Sequence, residues 1–304
     1  MATLKTPALW SSFFPVHKHL HTYYLFMCDC NAIVITWSLL GVVCSKRLLR
    51  ESNHYLHPDL VNEPVKRYPL VLIWIISAVS GFSLANQYLP ASIEEDSVNK
   101  PWRPIPSGRV SATSAARLRW IISLSGLVFS LYAGGQYEFI LQIAAVYWYN
   151  DLDGSKGWFI RNILNAIGLT SWLFGCINVA GGTGLRYTKT ELSSAGILIL
   201  AVTTTMSIQD FRDLEGDRAS GRRTLPILLG ETPARIVTSV LLLAWSFGIA
   251  MASKKSLIFT VMLELMGAAL AAWLVLKRSK KADKAALQLW YVWFAGFSMV
   301  AVGA

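Results

Sequence analysis

The sequence has few charged residues and few cysteines, and each shortage excludes a class of protein. Charged side chains make up only 15% of the 304 residues, whereas hydrophobic ones make up 54%. A chain this apolar is not an ordinary soluble domain. The four cysteines lie in or beside apolar stretches, and Cys28 and Cys30 lack the spacing of a zinc or redox motif. We therefore expect buried, reduced thiols.

The sequence also lacks a linker between soluble domains, and residues 1–20 lack the unbroken apolar core of a cleavable signal peptide. The first apolar stretch is therefore expected to act as an uncleaved insertion signal. The net charge of +10 is concentrated in short loops, where membrane topology and anionic lipid headgroups account for it. We expect the lipid bilayer as a partner, no nucleic acid and no obligatory protein partner.

Long apolar stretches, in contrast, are abundant. Their lengths are close to those that cross a bilayer as helices, so the sequence predicts an all-α, polytopic membrane protein with nine transmembrane helices. The predicted spans are 22–44, 69–89, 112–133, 137–150, 158–180, 191–210, 233–252, 256–276 and 284–303. The fourth is the shortest.

The distribution of basic residues orients these spans. Nine spans place the two termini on opposite membrane faces, and the face of the N-terminus then carries 19 of the 28 Lys and Arg residues. Basic residues concentrate on the cytosolic face of membrane proteins, so this face is expected to be cytosolic. Such an orientation suits an integral protein of the endoplasmic reticulum that takes a substrate made in the cytosol.

Two charged loops follow the second and sixth apolar stretches, at 86–111 and 209–232. In each loop carboxylates come first, basic residues second, and Pro and Gly next. A new apolar helix then begins at Ser111 or Thr232, residue types that suit an N-cap. Both loops lie on the face predicted to be cytosolic.

This recurrence indicates an internal repeat. It predicts two related units, at about 22–161 and 162–276, and a final helix, all within one domain that covers residues 1–304. Functional sites in pseudo-symmetric membrane proteins often lie where the repeats meet. We expect the loops to face each other across one central cavity.

The second loop carries Asp210, Asp213 and Asp217 at i, i+3 and i+7. If the sixth helix continues through this stretch, all three project from one face. Carboxylates so arranged repel each other unless cations lie between them, and Mg²⁺ prefers oxygen ligands. The alternative is a solvated acidic face. The basic residues of this loop predicted to bind phosphate are Arg212, Arg222 and Arg223.

The first loop offers similar chemistry. Its predicted metal ligands are Asn86, Glu94, Glu95 and Asp96, and its predicted diphosphate-binding residues are Lys100 and Arg103. Mg²⁺ bound to these carboxylates would bridge them to a diphosphate and ease its departure. After the fourth span, Lys156 and Arg161 could reach the same phosphates. Alternatively, these two residues only set the topology.

The order of these segments resembles a known family. An Asn-led acidic cluster is followed by NKPWRPIPSGRVS, a Tyr-Asn segment and DFRDLEGDRASGRRTLPILLG. This order is similar to that of the UbiA superfamily of intramembrane prenyltransferases, over nearly the whole chain. The resemblance implies Mg²⁺ on both acidic motifs and an isoprenyl diphosphate in a central cavity. It implies catalytic roles for Asp96, Asp210, Asp213 and Asp217.

The first motif departs from the pattern of UbiA prenyltransferases, which is Asn, Asp and Asp, each separated from the next by three residues. The fourth residue after Asn86 is Pro90, and the middle aspartate, counted back from Asp96, falls on Ser92. Glu95 or Glu94 would then supply the missing oxygen. The EED cluster before NKPWRP is similar to the fungal UbiA-type terpene cyclases.

Three functions follow as hypotheses. The favoured one is Mg²⁺-dependent ionisation of farnesyl or geranylgeranyl diphosphate, cyclisation of the cation and proton loss. Aromatic residues make up 12% of the chain, and their rings could stabilise such a cation. The alternative is transfer of the prenyl group to an aromatic or lipid acceptor. A transporter or receptor is disfavoured, because the acidic clusters lie at helix ends and not near the membrane midplane.

Overall fold

The computed structural model describes residues 8–52, 63–182, 187–252 and 257–302. Within these ranges the regular elements are helical, which confirms the all-α class. In chain order, the helices are α1 Ala8–Met27, α2 Asn31–Ser52, α3 Glu63–Lys66, α4 Tyr68–Ala85, α5 Pro90–Asn99, α6 Ala112–Ala133, α7 Gln136–Asp151, α8 Trp158–Gly181, α9 Lys189–Thr205, α10 Asp210–Ala219, α11 Leu225–Leu229, α12 Glu231–Ala252, α13 Leu257–Leu276 and α14 Lys280–Ala301.

Nine of these segments lie at the predicted spans: α2, α4, α6, α7, α8, α9, α12, α13 and α14. Among the described residues, six segments are long and apolar enough to cross a membrane by length and composition. These segments contain α2, α4, α8, α9 with α10, α12 and α13. The all-α membrane fold is therefore confirmed, while the count of nine spans remains a prediction. The division into two units is likewise a prediction.

The first predicted span is interrupted. We expected a helix over 22–44, but α1 ends at Met27 and α2 begins at Asn31. Asp29 lies in the turn between them, where its carboxylate contacts Lys100 and Arg103. A charged residue inside the apolar stretch is thus placed at a helix break, where it meets cations instead of lipid.

Of the two predicted N-caps, one is correct. The Ser111 hydroxyl accepts a hydrogen bond from the Ser114 amide at 3.1 Å and caps α6. The prediction for Thr232 is wrong, because α12 begins one residue earlier at Glu231. The Thr232 hydroxyl instead accepts a hydrogen bond from Arg278 at 2.8 Å.

Close packing between helices fixes the core. A Cβ added to Gly41 on α2 would lie 2.8 Å from the backbone of Cys176 on α8, so only glycine permits this approach, as is common between membrane helices. On α14, the rings of Trp290 and Phe294 stack at 5.2 Å inside the core. All four cysteines are free, and three of them are buried as predicted, whereas Cys28 is half-buried.

Candidate active site

The two charged loops meet in the fold. Glu95 on α5 lies 3.4 Å from Arg222, which follows α10, and Arg222 also donates to Asp217 at 2.9 Å. This bridge shows that the two loops meet, whereas their meeting across one central cavity stays a prediction. Burial raises the pKa of Glu95, Arg222 opposes the shift, and the nearby carboxylates of the second motif add to it. Glu95 therefore lies within the electrostatic field of the second motif.

The second motif extends the sixth predicted span, as expected. A 3₁₀ turn at Met206–Gln209 joins α9 to α10, which begins at Asp210. Each of the three aspartates contacts a different arginine. Asp210 is fully buried and accepts from Arg161 on α8, Asp213 is half-buried and accepts from Arg212 at 2.9 and 2.5 Å, and Asp217 is fully buried beside Arg222.

The first motif is anchored by Arg103. One nitrogen of this guanidinium, Nη1, donates to both carboxylate oxygens of Asp96, at 2.9 and 2.8 Å. Asp96 is buried, whereas Glu94 is exposed. Together with the contact of Glu95 to Arg222, this burial shows which side of α5 faces the second motif. Glu95 and Asp96 face inward and Glu94 does not.

Asp29 is a site residue that the motif analysis missed. Its Oδ2 lies 3.0 Å from Lys100 Nζ and 2.6 Å from Arg103 Nη2. Burial alone would raise the pKa of Asp29, but the charges of Lys100 and Arg103 outweigh it and lower the pKa to about 2. A lone carboxylate inside the predicted first span was the signal that could have identified it, because such residues are often functional.

Next to these groups lies a cavity of about 330 Å³. Its wall carries charged side chains, Asp29, Lys100, Arg103, Arg212 and Lys284. It also carries apolar and aromatic residues from α2, α4, α8 and α14, among them Ile33, Phe82, Leu169, Trp172, Leu287 and Tyr291. This volume is at the small end of the range for small-molecule sites. The lining suits a ligand with an anionic head and a hydrocarbon tail.

Several buried polar atoms at the site have no hydrogen-bond partner among the residues that the structure describes. They include the acceptors Asn86 Oδ1 at the end of α4, Asp210 Oδ2 and Asp217 Oδ2. Buried acceptors without partners are costly and usually meet a ligand, an ion or water. Their carboxylate and carboxamide oxygens are the donor type that Mg²⁺ prefers.

The metal ligands are not gathered into one cluster, however. Over the described part of the chain, no three Asp, Glu, His or Cys side chains lie close enough to hold one ion. The reason is visible in the contacts, since the aspartates of both motifs lie against arginines. The donor set fits Mg²⁺ in its chemistry, and the assignment of individual ligands remains a prediction.

The remaining predicted phosphate ligands separate into two groups. Arg161 is buried at the site through its contact with Asp210. Lys156 is exposed and pairs with Asp153 at 2.8 Å, and Arg223 is also exposed. The backbones of these two residues are joined, because the Arg223 amide donates to the Lys156 carbonyl at 2.7 Å. The structure does not bring either side chain to the cavity wall.

A buried arginine lies behind the first motif, and this residue was also missed. Arg119 on α6 donates to Asp151 at 2.8 Å and to the Tyr88 hydroxyl at 2.7 Å. Tyr88 stands two residues after Asn86, in the segment that leads into α5. The contact therefore fixes the start of the first motif.

An equivalent arginine lies behind the second motif. Arg235 on α12 donates to Asp283 through two bonds of 2.8 and 2.9 Å. Its guanidinium also lies 4.4 Å from the centre of the Phe211 ring, next to Asp210. Both arginines are almost completely buried.

Comparison with known proteins gives a family match over most of the chain. The model of the UbiA prenyltransferase family matches residues 58–294. The chain is 33% identical over 180 residues to diterpene cyclase eriG of Hericium erinaceus, covering 57% of this chain and 55% of that one. It is 31% identical over 182 residues to fumagillin beta-trans-bergamotene synthase af520 of Aspergillus fumigatus, covering 59% and 61%.

Another relative is a transferase. The chain is 30% identical over 188 residues to polyprenyl transferase eriF of Hericium erinaceus, covering 59% of this chain and 61% of that one. The matches thus span between about half and three fifths of the length of these curated relatives. Terpene cyclases and prenyltransferases both occur among them.

Solved structures share the fold. A digeranylgeranylglyceryl phosphate synthase superposes with a TM-score of 0.59 at 20% identity, covering 95% of this chain and 100% of that one. A UbiA homologue from Archaeoglobus fulgidus, bound to GPP and Mg²⁺, superposes with a TM-score of 0.57 at 10% identity, covering 93% and 100%. At these identities the likeness extends to the fold alone.

Proposed function

The chain belongs to the UbiA prenyltransferase family, and we propose that within it this protein is a membrane-bound terpene cyclase. It would ionise a linear isoprenyl diphosphate, farnesyl or geranylgeranyl diphosphate, and cyclise the resulting cation. The observation that carries the proposal is the cavity itself. Its lining combines cationic and aromatic side chains, and it lies next to α5 and α10, where Glu95 and Asp217 contact the same arginine, Arg222.

The basic side chains of the wall would bind the diphosphate. Four cationic side chains line the cavity, namely Lys100, Arg103, Arg212 and Lys284. Charge-assisted hydrogen bonds to phosphate oxygens are among the strongest available to a protein. Mg²⁺, held by Asn86 and the motif carboxylates, would neutralise charge on the leaving diphosphate. These contacts stabilise the negative charge that develops as the carbon–oxygen bond breaks.

The apolar side chains would hold the prenyl chain and the cation. Phe82 and Trp172 lie ring to edge at 5.2 Å in the cavity wall. Aromatic faces stabilise cations, and apolar side chains around a reactive intermediate keep water away from it. Ring closure onto the chain's own double bonds, followed by proton loss, would complete the reaction.

Similarity to named cyclases supports this proposal at family level, and the similarity to polyprenyl transferase eriF favours prenyl transfer as the second candidate. The two differ only in what captures the cation. We further propose that the protein is an integral protein of the endoplasmic reticulum and that its site faces the cytosol, on the basis of the basic loops.

The test uses purified protein, Mg²⁺ and ten-, fifteen- and twenty-carbon prenyl diphosphates, with no acceptor added. Gas chromatography with mass spectrometry would detect cyclic hydrocarbons if the protein is a cyclase. Turnover only after an aromatic or lipid acceptor is added would establish transfer instead. The Asp213→Asn variant is the control for contaminating activity. Recovery of unchanged prenyl diphosphate from every reaction, with and without acceptor, would refute both functions.

A further inference from the structure

Asp29 belongs to neither acidic motif, yet it contacts two of the cations that line the cavity. Its carboxylate lies 3.0 Å from Lys100 Nζ and 2.6 Å from Arg103 Nη2. It lines the cavity itself, from the turn between α1 and α2. The carboxylate of Asp29 therefore accepts hydrogen bonds from Lys100 and Arg103, two basic side chains that line the cavity.

The two carboxylates on Arg103 differ in their exposure. The Asp96 side chain is 7% exposed, so its contact with Arg103 is sealed inside the protein. The Asp29 side chain is 40% exposed, and its partner Lys100 is 28% exposed. Ion pairs open to solvent are weak and exchange readily. Asp96 therefore fixes Arg103 in place, whereas Asp29 can give up its contacts to an arriving anion.

The contacts with Lys100 and Arg103 also favour the ionised form of Asp29. Burial would raise its pKa, but Lys100 and Arg103 lower the pKa to about 2. The ionised carboxylate therefore competes with other anions for the same donors. A diphosphate that enters the cavity must share or replace the contacts of Asp29 with Lys100 and Arg103. It dissociates more easily if Asp29 can form these contacts again.

We propose that Asp29 is an internal counter-anion that competes with diphosphate for Lys100 and Arg103, and so weakens the hold of the enzyme on released diphosphate. This inference rests on the proposed function, because it needs diphosphate in the cavity. Asp29 is a positioning residue in this account, since it acts through the two basic side chains.

The test measures binding of inorganic diphosphate, in the presence of Mg²⁺, to the full chain in lipid nanodiscs by calorimetry. Asp29→Asn keeps the shape of the side chain and removes the competing charge. We expect diphosphate to bind about three- to tenfold more tightly to this variant, in line with the modest strength of solvent-exposed ion pairs. A residue needed only for structure would give weaker binding when changed.

Glu63→Gln is the matched control. Glu63 pairs with Lys66 at 2.8 Å and its side chain is 37% exposed, which is close to the values for Asp29. Arg67, which follows Lys66, donates to the carbonyl of Ala133. Ala133 lies at the end of α6 opposite to the first motif, so the control pair is distant from the cavity cations. We expect Glu63→Gln to bind diphosphate like the unchanged protein.

Unchanged or weaker binding by Asp29→Asn would overturn the inference, and so would an equal gain in Glu63→Gln. If Asp29→Asn does not fold, as judged by thermal melting, Asp29→Ser decides the question by the same measurement. Turnover of prenyl diphosphates is recorded separately. A protein that binds diphosphate but turns over no prenyl diphosphate would refute the proposed function while the binding data still decide the role of Asp29.

Discussion

Replacing Arg161 with methionine tests whether a cation other than arginine can occupy the second motif. Arg161 on α8 is 4% exposed and donates to Asp210, which is fully buried. The other oxygen of that carboxylate has no hydrogen-bond partner in the described part of the chain. Methionine keeps much of the length and the apolar stem but removes the charge, so Arg161→Met leaves a buried carboxylate without its neutralising partner.

The expected loss of stability is large. Removing one partner of a buried ion pair costs about 3–5 kcal/mol. At roughly 2–4 °C per kcal/mol for a chain of this size, the melting temperature without metal should fall by about 6–20 °C. Added Mg²⁺ should restore part of this loss, because the ion can neutralise Asp210 in place of the guanidinium. A tenfold gain in Mg²⁺ affinity adds about 1.4 kcal/mol at saturation.

The assay is thermal melting of the purified protein in detergent, with EDTA and with increasing Mg²⁺. Arg235→Met is the matched control, because it breaks another buried arginine pair, with Asp283. It should lose similar stability, but Mg²⁺ should stabilise it no more than the unchanged protein. If Mg²⁺ stabilises Arg161→Met no more than the unchanged protein, the assignment of Asp210 as a metal ligand is refuted.

Three further substitutions test the placement of other site residues. Asp213→Asn should lower turnover at least about 100-fold, as measured by product assays. The free energy of unfolding, measured by melting, should change by less than about 1 kcal/mol, because the pair of Asp213 with Arg212 is partly exposed. Glu95→Gln should weaken Mg²⁺ affinity about tenfold or more relative to Glu94→Gln, because Glu95, and not Glu94, faces the second motif. Equal Mg²⁺ affinities of the two variants, measured by titration, would contradict this. Arg103→Ala should raise the KM for the diphosphate at least about tenfold more than Arg223→Ala, because only Arg103 lines the cavity.

The sequence predicted the features that depend on local pattern. The apolar stretches placed the long helices, and the repeated order of acid, base, proline and helix start identified both motifs. Asp210, Asp213 and Asp217 all fall on helix α10, which is the condition under which their spacing predicted a shared face. Local chemistry also predicted the cap at Ser111. Each of these inferences needs information from only a few neighbouring residues.

Features that depend on distant contacts were not predictable in this way. Asp29 is separated from Arg103 by 74 residues, and nothing in the pattern around it identifies its partners. For the same reason, spacing alone does not distinguish the inward Glu95 from the exposed Glu94, which are adjacent in sequence. The break between α1 and α2 also depends on where Lys100 and Arg103 lie in the fold.

Buried arginines support both motif segments. Helices α5 and α10 have ten residues each, and a helix of that length is marginal without support from its surroundings; α10 is joined to α9 through a 3₁₀ turn.

Each motif segment is therefore anchored from outside through an aromatic ring that contacts a buried arginine. Arg119 lies over Tyr88 at 5.5 Å and pairs with Asp151, and Arg235 lies over Phe211 at 4.4 Å and pairs with Asp283. In both cases the arginine stands on the long helix that follows the motif. This repeated device supports the prediction of two related units. Asp283, however, belongs to α14, so the second unit depends on the final helix, beyond the boundary at 276, to hold its carboxylates in place.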